Sequence, residues 1–177
     1  MTDTDTQTGS PFWRFSLRFY RSPDVADACI ALQDGCGADV NVLLFILWLA
    51  GERRQIGIAE ARRINLTAMP WRDGVVVPLR ALRRRLKDGV PPIGSDEMFR
   101  NRVKAIELEA ERLEQEALFG IVPSLAATTA SSAQAAARAN VAAYEAALGA
   151  RLPPAALDVL YAALPAAGAA ARSGEID

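Results

Sequence analysis

The most apolar stretch of the chain follows Asp39, and Asn41 is the one polar side chain within residues 40–50. At 100° per residue, large apolar side chains fall on opposite sides of this segment. This pattern predicts a helix at about residues 39–51, with Asp39 as its N-cap, that is buried on most sides. The unbroken apolar run, residues 42–50, is only nine residues long. A membrane-spanning helix needs about 20, so no membrane span is predicted.

Amphipathic segments lie on both sides of this central helix. Ser-Pro pairs at 10–11 and 22–23 are typical of helix starts, with serine as the cap and proline in the first turn. Further along, the pattern predicts a short helix over residues 58–66 and another over 76–87. Residues 67–73 contain a proline and are expected to form a turn or a helix start.

The longest amphipathic segment predicts a helix at about residues 96–119. Its apolar side chains recur at steps of three and four residues, which is typical of the seam of a coiled coil or a helical bundle. The predicted inward positions are Phe99, Val103, Ile106, Ala110, Leu113 and Ala117.

The last third of the chain differs in composition, because residues 121–177 contain 22 alanines in 57 positions. Its narrow apolar stripes predict a helical hairpin over residues 132–164. The two ends of the chain, residues 1–9 and 166–177, have little to bury and are expected to be disordered tails.

These elements predict an all-α fold, a single helical bundle with a buried central helix and a long helix. No stretch shows the period-two alternation of a β-strand over a useful length. The expected domain covers residues 10–165, with its main motifs in residues 11–118 and the alanine-rich hairpin after them.

Composition narrows the possible chemistry. The chain has no histidine, which excludes Ser–His and Cys–His nucleophile pairs and His-ligated metals. The two cysteines, Cys29 and Cys36, lack the spacing of a metal site, and no phosphate-binding loop or nucleophile elbow is present. We therefore expect no cofactor and no metal, and the lack of a recognisable catalytic motif favours a protein that is not an enzyme. The polar N-terminus lacks the pattern of a signal peptide, and a cytoplasmic protein is expected.

Charge is segregated along the chain although the net charge is only −1. Residues 51–90 carry ten Lys and Arg against four Asp and Glu, whereas residues 91–120 carry four against seven. The basic helix could bind an anion or nucleic acid. Alternatively, it is a solvated face partly paired with the acidic segment 107–116. The residues of the possible anion site are Arg80, Arg83, Arg84 and Lys87.

A second set of residues could line a pocket for a small molecule. Asn41 needs hydrogen-bond partners inside an apolar helix, and Trp48 falls on the same side of that helix. Trp71 and Arg72 could add an aromatic and a cation. The alternatives are structural: Asn41 would tie its helix to the turn at 33–37, and Trp71 would cover an edge of the core.

Five segments together resemble a known family. The chain is similar to a proteobacterial family of small uncharacterised proteins, a domain of unknown function, over about residues 11–118. This resemblance implies a bacterial cytoplasmic protein and supplies no activity or catalytic residue. The matching segments are 12–17, 31–34, 39–48, 70–72 and 78–87.

The leading functional hypothesis is a non-enzymatic binding or adaptor protein that acts through helix surfaces on a protein partner. The alanine-rich hairpin would serve as its docking element, because its small side chains bury little by themselves. The alternatives are an anion or nucleic-acid binder using the basic helix and, third, a small-molecule pocket or enzyme around Asn41, Trp48, Trp71 and Arg72.

Overall fold

The computed structural model describes residues 9–165, and the all-α prediction is confirmed because three quarters of the structure, 75%, is helical. A two-stranded antiparallel sheet, which the sequence pattern did not predict, joins Arg54–Ile56 (β1) to Ala127–Thr129 (β2). The helices are α1 (Pro11–Phe19), α2 (Pro23–Cys36), α3 (Val40–Gly51), α4 (Ile58–Trp71), α5 (Val77–Lys87), α6 (Glu97–Gly120), α7 (Ala133–Leu148) and α8 (Pro154–Ala163).

Helix α3 is the centre of the core, as predicted. Asp39 is its N-cap, and every residue from Asn41 to Ala50 is buried. Its aromatic side chains pack with those of α1 and α6: the Phe12 and Phe45 rings lie 5.0 Å apart, and Trp48 lies 5.6 Å from Phe119. Because α1, α2, α6 and α7 all pack against α3, apolar side chains are needed around its whole circumference.

Residues 58–87 form one continuous helix, so the turn predicted at 67–73 is wrong. Pro70 lies inside α4, and the chain passes through a π-helical segment, Arg72–Val76, before α5 begins. Proline cannot donate a backbone hydrogen bond, and π-helical hydrogen bonding, which is rare, occurs mostly as a single turn inserted within an α-helix. The wider turn sets Arg72 and Val76 beside the start of α3.

Four of the six predicted inward positions of α6 are wrong. Val103 and Ala110 are buried, but Phe99, Ile106, Leu113 and Ala117 are exposed. The buried face instead includes two carboxylates, Glu107 and Glu114, together with Gln115 and Leu118. A prediction that places only apolar side chains inside a bundle misses a face that carries buried acids.

The alanine-rich part belongs to the core rather than forming a separate docking element. Helix α7 packs against α3 and α4, with Ala136, Ala137 and Tyr144 fully buried, and α8 packs mainly against α2. Small side chains let α7 approach α3 closely, so the expectation that this region buries little is wrong.

Asn140 of α7 ties three elements together inside this core. Its side-chain amide donates to the carbonyl oxygens of Ile46 and Arg54, each at 3.0 Å, and its carbonyl accepts from the Ile56 N–H at 2.8 Å. These bonds fix β1 against α3 and α7.

The predicted domain limits, 10–165, stay a prediction. The predicted tails, 1–9 and 166–177, lie outside the described residues apart from Gly9. Within residues 9–165, no helix is both long enough and apolar enough to cross a membrane.

Candidate functional site

A cavity of about 270 Å³ lies where the α2–α3 turn, the π-helical segment and α6 meet. The N-terminus of α3 opens onto it, and the start of α5 closes one side. Its walls combine apolar side chains with several charged ones. The residues that matter for its chemistry are Asp39, Asn41, Arg72, Val76, Val77, Arg80 and Glu114.

Asp39 joins three elements at the base of the cavity. Its Oδ1 accepts from the backbone N–H groups of Asn41 and Val42, and its Oδ2 accepts from Arg72 Nη1 at 3.3 Å. The backbone N–H of Asp39 donates to the hydroxyl of Tyr144 in α7 at 2.9 Å. The carboxylate of Asp39 is therefore held in place as a cap and as a buried ion-pair partner.

Arg72 has its charge shared between two acids. Besides Asp39, it contacts Asp73 Oδ1 at 2.8 Å, and its Nη1 donates to Asn65 Oδ1 at 3.2 Å. The hydrogen bond to Asp73 and the charge of Asp39 raise the pKa of the guanidinium, although burial opposes them as the largest single effect. Arg72 is thus fixed as a cation at the edge of the cavity.

Glu114 has the most unusual environment in the site. Its side chain lines the cavity, and the residue is only 2% exposed. Neither carboxyl oxygen makes a hydrogen bond of normal geometry within the described residues, although the side chains of Asn41 and Asp39 lie close enough to affect its pKa. Burial, and next the charge of nearby Asp39, raise the pKa of Glu114 to about 9. Glu114 is therefore protonated at neutral pH.

Asn41 is bonded to α6 rather than to the turn at 33–37. Its Oδ1 accepts from Gln115 Nε2 at 2.8 Å, while the Oε1 atom of Gln115 is buried without a partner in the described part of the chain. Gln115 and Glu114 are neighbours on α6. Two adjacent side chains near the cavity therefore carry unsatisfied oxygens.

The structure brings together only two of the four residues of the predicted pocket. Asn41 and Arg72 line the cavity. Trp48 is buried in the aromatic cluster of α3, and its ring centroid lies 5.8 Å from those of Phe12 and Phe45. Trp71 is partly exposed and donates from Nε1 to the carbonyl oxygen of Ala110 at 2.9 Å. Neither Trp residue lines the cavity.

The basic helix is largely paired. Arg80 contacts Glu111 at 2.7 Å and Glu107 at 3.3 Å, and Arg83 also pairs with Glu107. On the other side, Arg84 contacts Asp34 at 2.9 Å. Lys87 is exposed and forms no ion pair with a described residue. Three of the four predicted anion-binding side chains are therefore committed to acids of this chain, which matches the paired alternative.

Sequence reasoning missed Glu114 and Asp39 as parts of a site. A signal was present, because Glu107, Glu111 and Glu114 recur at steps of four and three on one face of α6. Such a face, opposite a basic helix, predicts a charged layer between two helices. The sequence could not show that one of these acids would lack a partner.

Comparison with known proteins identifies a family but no activity. No curated protein and no solved structure matches the chain. A family model described as a protein of unknown function, DUF2390, matches residues 11–118, and this range includes every residue of the cavity wall. Because the match covers more than half of the sequence, the chain belongs to the DUF2390 family.

Proposed function

We propose that this chain is a non-enzymatic binding protein whose cavity holds a small polar molecule. The observation that carries the proposal is the buried, unpaired carboxyl group of Glu114 in the cavity wall. Leaving a buried polar group without a partner costs about 1–3 kcal/mol. A ligand that bonds to the carboxyl group of Glu114 would recover that free energy.

The size and lining of the cavity support this proposal. At about 270 Å³ it lies near the lower end of ligand-binding pockets, which span roughly 300–1,000 Å³. Val76, Val77 and Ala38 supply apolar walls, while Asp39 and Arg72 supply fixed charges. Apolar walls with a few oriented polar groups are the usual composition of a small-molecule site.

The compartment that we propose for this activity is the bacterial cytoplasm. Both cysteines, Cys29 and Cys36, are free thiols in the structure, and reduced thiols are the normal state in that compartment. Burial raises the pKa of Cys29 to about 12, so this thiol is unreactive and has a packing role.

Closing the cavity should abolish binding without unfolding the protein. Val77 lines the cavity and is 45% exposed, so a Val77→Phe side chain can cover the opening without entering the core. Ligand-observed NMR with a library of small cations, anions and neutral polar molecules would first identify compounds that bind the wild type. We expect the Val77→Phe variant to bind these compounds at least tenfold more weakly. Leu82→Phe is the matched control, because Leu82 is an exposed apolar residue of α5 outside the cavity. A library with no binder sensitive to Val77→Phe would refute the proposal.

A protein partner is the second candidate function, and the exposed side of α6 favours it. Phe99, Ile106 and Leu113 are 50%, 56% and 43% exposed and recur every seven residues. Arg102, which lies one turn before Ile106 beside this stripe, is exposed and has no ion pair with another described residue. The spacing and the charge fit an amphipathic helix of a partner that has acidic residues beside its apolar stripe.

A designed peptide tests this surface directly. We expect a helical peptide with leucine at its seam and glutamate at the flanking positions to bind in low salt, and a lysine-flanked version to bind at least tenfold more weakly. Ile106→Asp should remove binding, whereas Leu108→Asp should not, because Leu108 lies on another side of α6. Equal binding by the two peptides, or no effect of Ile106→Asp, would count against this surface.

A further inference from the structure

We infer that the ligand of the cavity carries a cationic nitrogen, an ammonium or guanidinium group, that binds between Asp39 and Glu114 and displaces the proton of Glu114. This inference rests on the proposed function of the cavity as a ligand site. It specifies the chemical class of the ligand and states that Glu114 releases a proton when the ligand binds.

Charge around the cavity is the first argument. The ion pairs at the cavity and between the adjoining faces of α5 and α6 contain four carboxylates against three guanidinium groups, so the cluster carries a net negative charge even while Glu114 is protonated. The carboxylates are Asp39, Asp73, Glu107 and Glu111, and the bases are Arg72, Arg80 and Arg83. A cation compensates this excess, whereas an anion would add to it.

The arginines at the cavity are not free to receive an anion. Arg72 is bonded to Asp39 and Asp73, and Arg80 is bonded to Glu107 and Glu111. A carboxylate or phosphate would have to displace these bonds and would also lie near Asp39. Among the described residues that line the cavity, the buried oxygens without a hydrogen bond are those of Glu114, and oxygens of this kind bind N–H donors.

An organic cation fits better than a metal ion. Within residues 9–165, no three acidic or cysteine side chains are grouped so that they could hold a metal. The cavity volume, about 270 Å³, is far larger than a single ion requires, and apolar side chains such as Val76 face it. A nitrogen cation on a short carbon skeleton would use both the carboxyl groups and the apolar wall.

Binding of this cation is coupled to a proton. In the free protein Glu114 holds its proton because burial and the charge of Asp39 oppose ionisation, while the charge of Arg72 acts in the other direction. Tyr144, the titratable group that α7 places next to this pair, is neutral because burial raises its pKa. When the cation arrives, the O–H bond of Glu114 breaks, the carboxylate pairs with the ligand, and the proton passes to solvent.

Methylguanidinium is a suitable probe because it stays charged up to pH 9, and N-methylurea is its uncharged counterpart of the same shape. Propionate serves as the anionic probe. We expect methylguanidinium to shift the NMR signals of Ala38 to Asn41 and to bind at least tenfold more tightly than either other compound. Titration calorimetry at pH 7 in two buffers with different ionisation enthalpies should report release of about one proton, and affinity should rise by up to about tenfold per pH unit towards pH 9.

Two variants separate the outcomes. Glu114→Gln should weaken methylguanidinium binding at least tenfold at pH 9 and remove both the proton release and the pH dependence. Glu109→Gln, a change at an exposed site on the same helix, should alter none of these. If the compounds whose binding is weakened by Val77→Phe are neutral or anionic, the inference fails while the cavity remains a ligand site. The same conclusion follows if binding releases no proton. If nothing binds, both proposals fail.

Discussion

Replacing Asn140 with alanine should lower the free energy of unfolding by about 3 kcal/mol, because three hydrogen bonds to the backbone, two of them buried and one partly buried, are lost at once. Asn140 is fully buried and accounts for bonds to Ile46, Arg54 and Ile56. Each unsatisfied group costs about 1–3 kcal/mol, and the smaller alanine leaves room for water to recover part of the loss. The change removes the link between α7, α3 and β1.

Urea unfolding followed by circular dichroism at pH 7 would measure this loss as a lower midpoint with an unchanged slope. Hydrogen exchange gives a local readout, since the amide of Ile56 should lose protection more than amides in the middle of α3. Asn101→Ala is the matched control, because Asn101 is exposed on α6 and the substitution should change stability by no more than about 0.5 kcal/mol. A loss below about 1 kcal/mol for Asn140→Ala would contradict this role.

Asn140 also shows how much of the fold could be predicted from sequence. Apolar periodicity identified α3 and most other helices, because a buried helix face must be apolar over several turns. An asparagine within an alanine-rich helix gives no such signal: its role depends on backbone groups of residues 46–56, about 90 positions away. The small sheet that it holds is equally invisible, since three-residue strands are too short for a period-two pattern.

The cavity was only partly predictable for a related reason. Asn41 and Arg72 could be selected because an amide in an apolar helix and a cation beside a tryptophan are locally unusual. Glu114 is one glutamate among several on α6, and its burial depends on where α3 and the π-helical segment meet. Pattern analysis places acids on the solvent side by default, and this default moved the predicted seam of α6 towards Ile106 and Leu113.

The stability of the protein should fall as pH rises from about 5 to 9, and Glu114→Gln should remove most of this fall. Glu114 has a pKa of about 9 in the folded protein, against the ordinary value of 4.5 for an unfolded chain. Between these values the folded state holds a proton that the unfolded state has lost, so raising the pH favours unfolding. Below the ordinary value both states are protonated, and the stabilisation due to the neutral group is complete.

Glutamine keeps the shape of the neutral acid and cannot ionise, so the variant should be more stable than the wild type at neutral pH. From pH 6 to 9 we expect the free energy of unfolding of the wild type to fall by at least about 2 kcal/mol more than that of Glu114→Gln. The upper limit is about 1.4 kcal/mol per pH unit. We expect about half of this limit, because water can enter near an ionised group and stabilise it. Urea midpoints at several pH values would measure the difference, and Glu109→Gln should follow the wild type. Parallel curves for all three proteins would mean that Glu114 is already ionised at neutral pH, and this result would contradict the proton release that we infer for the cavity.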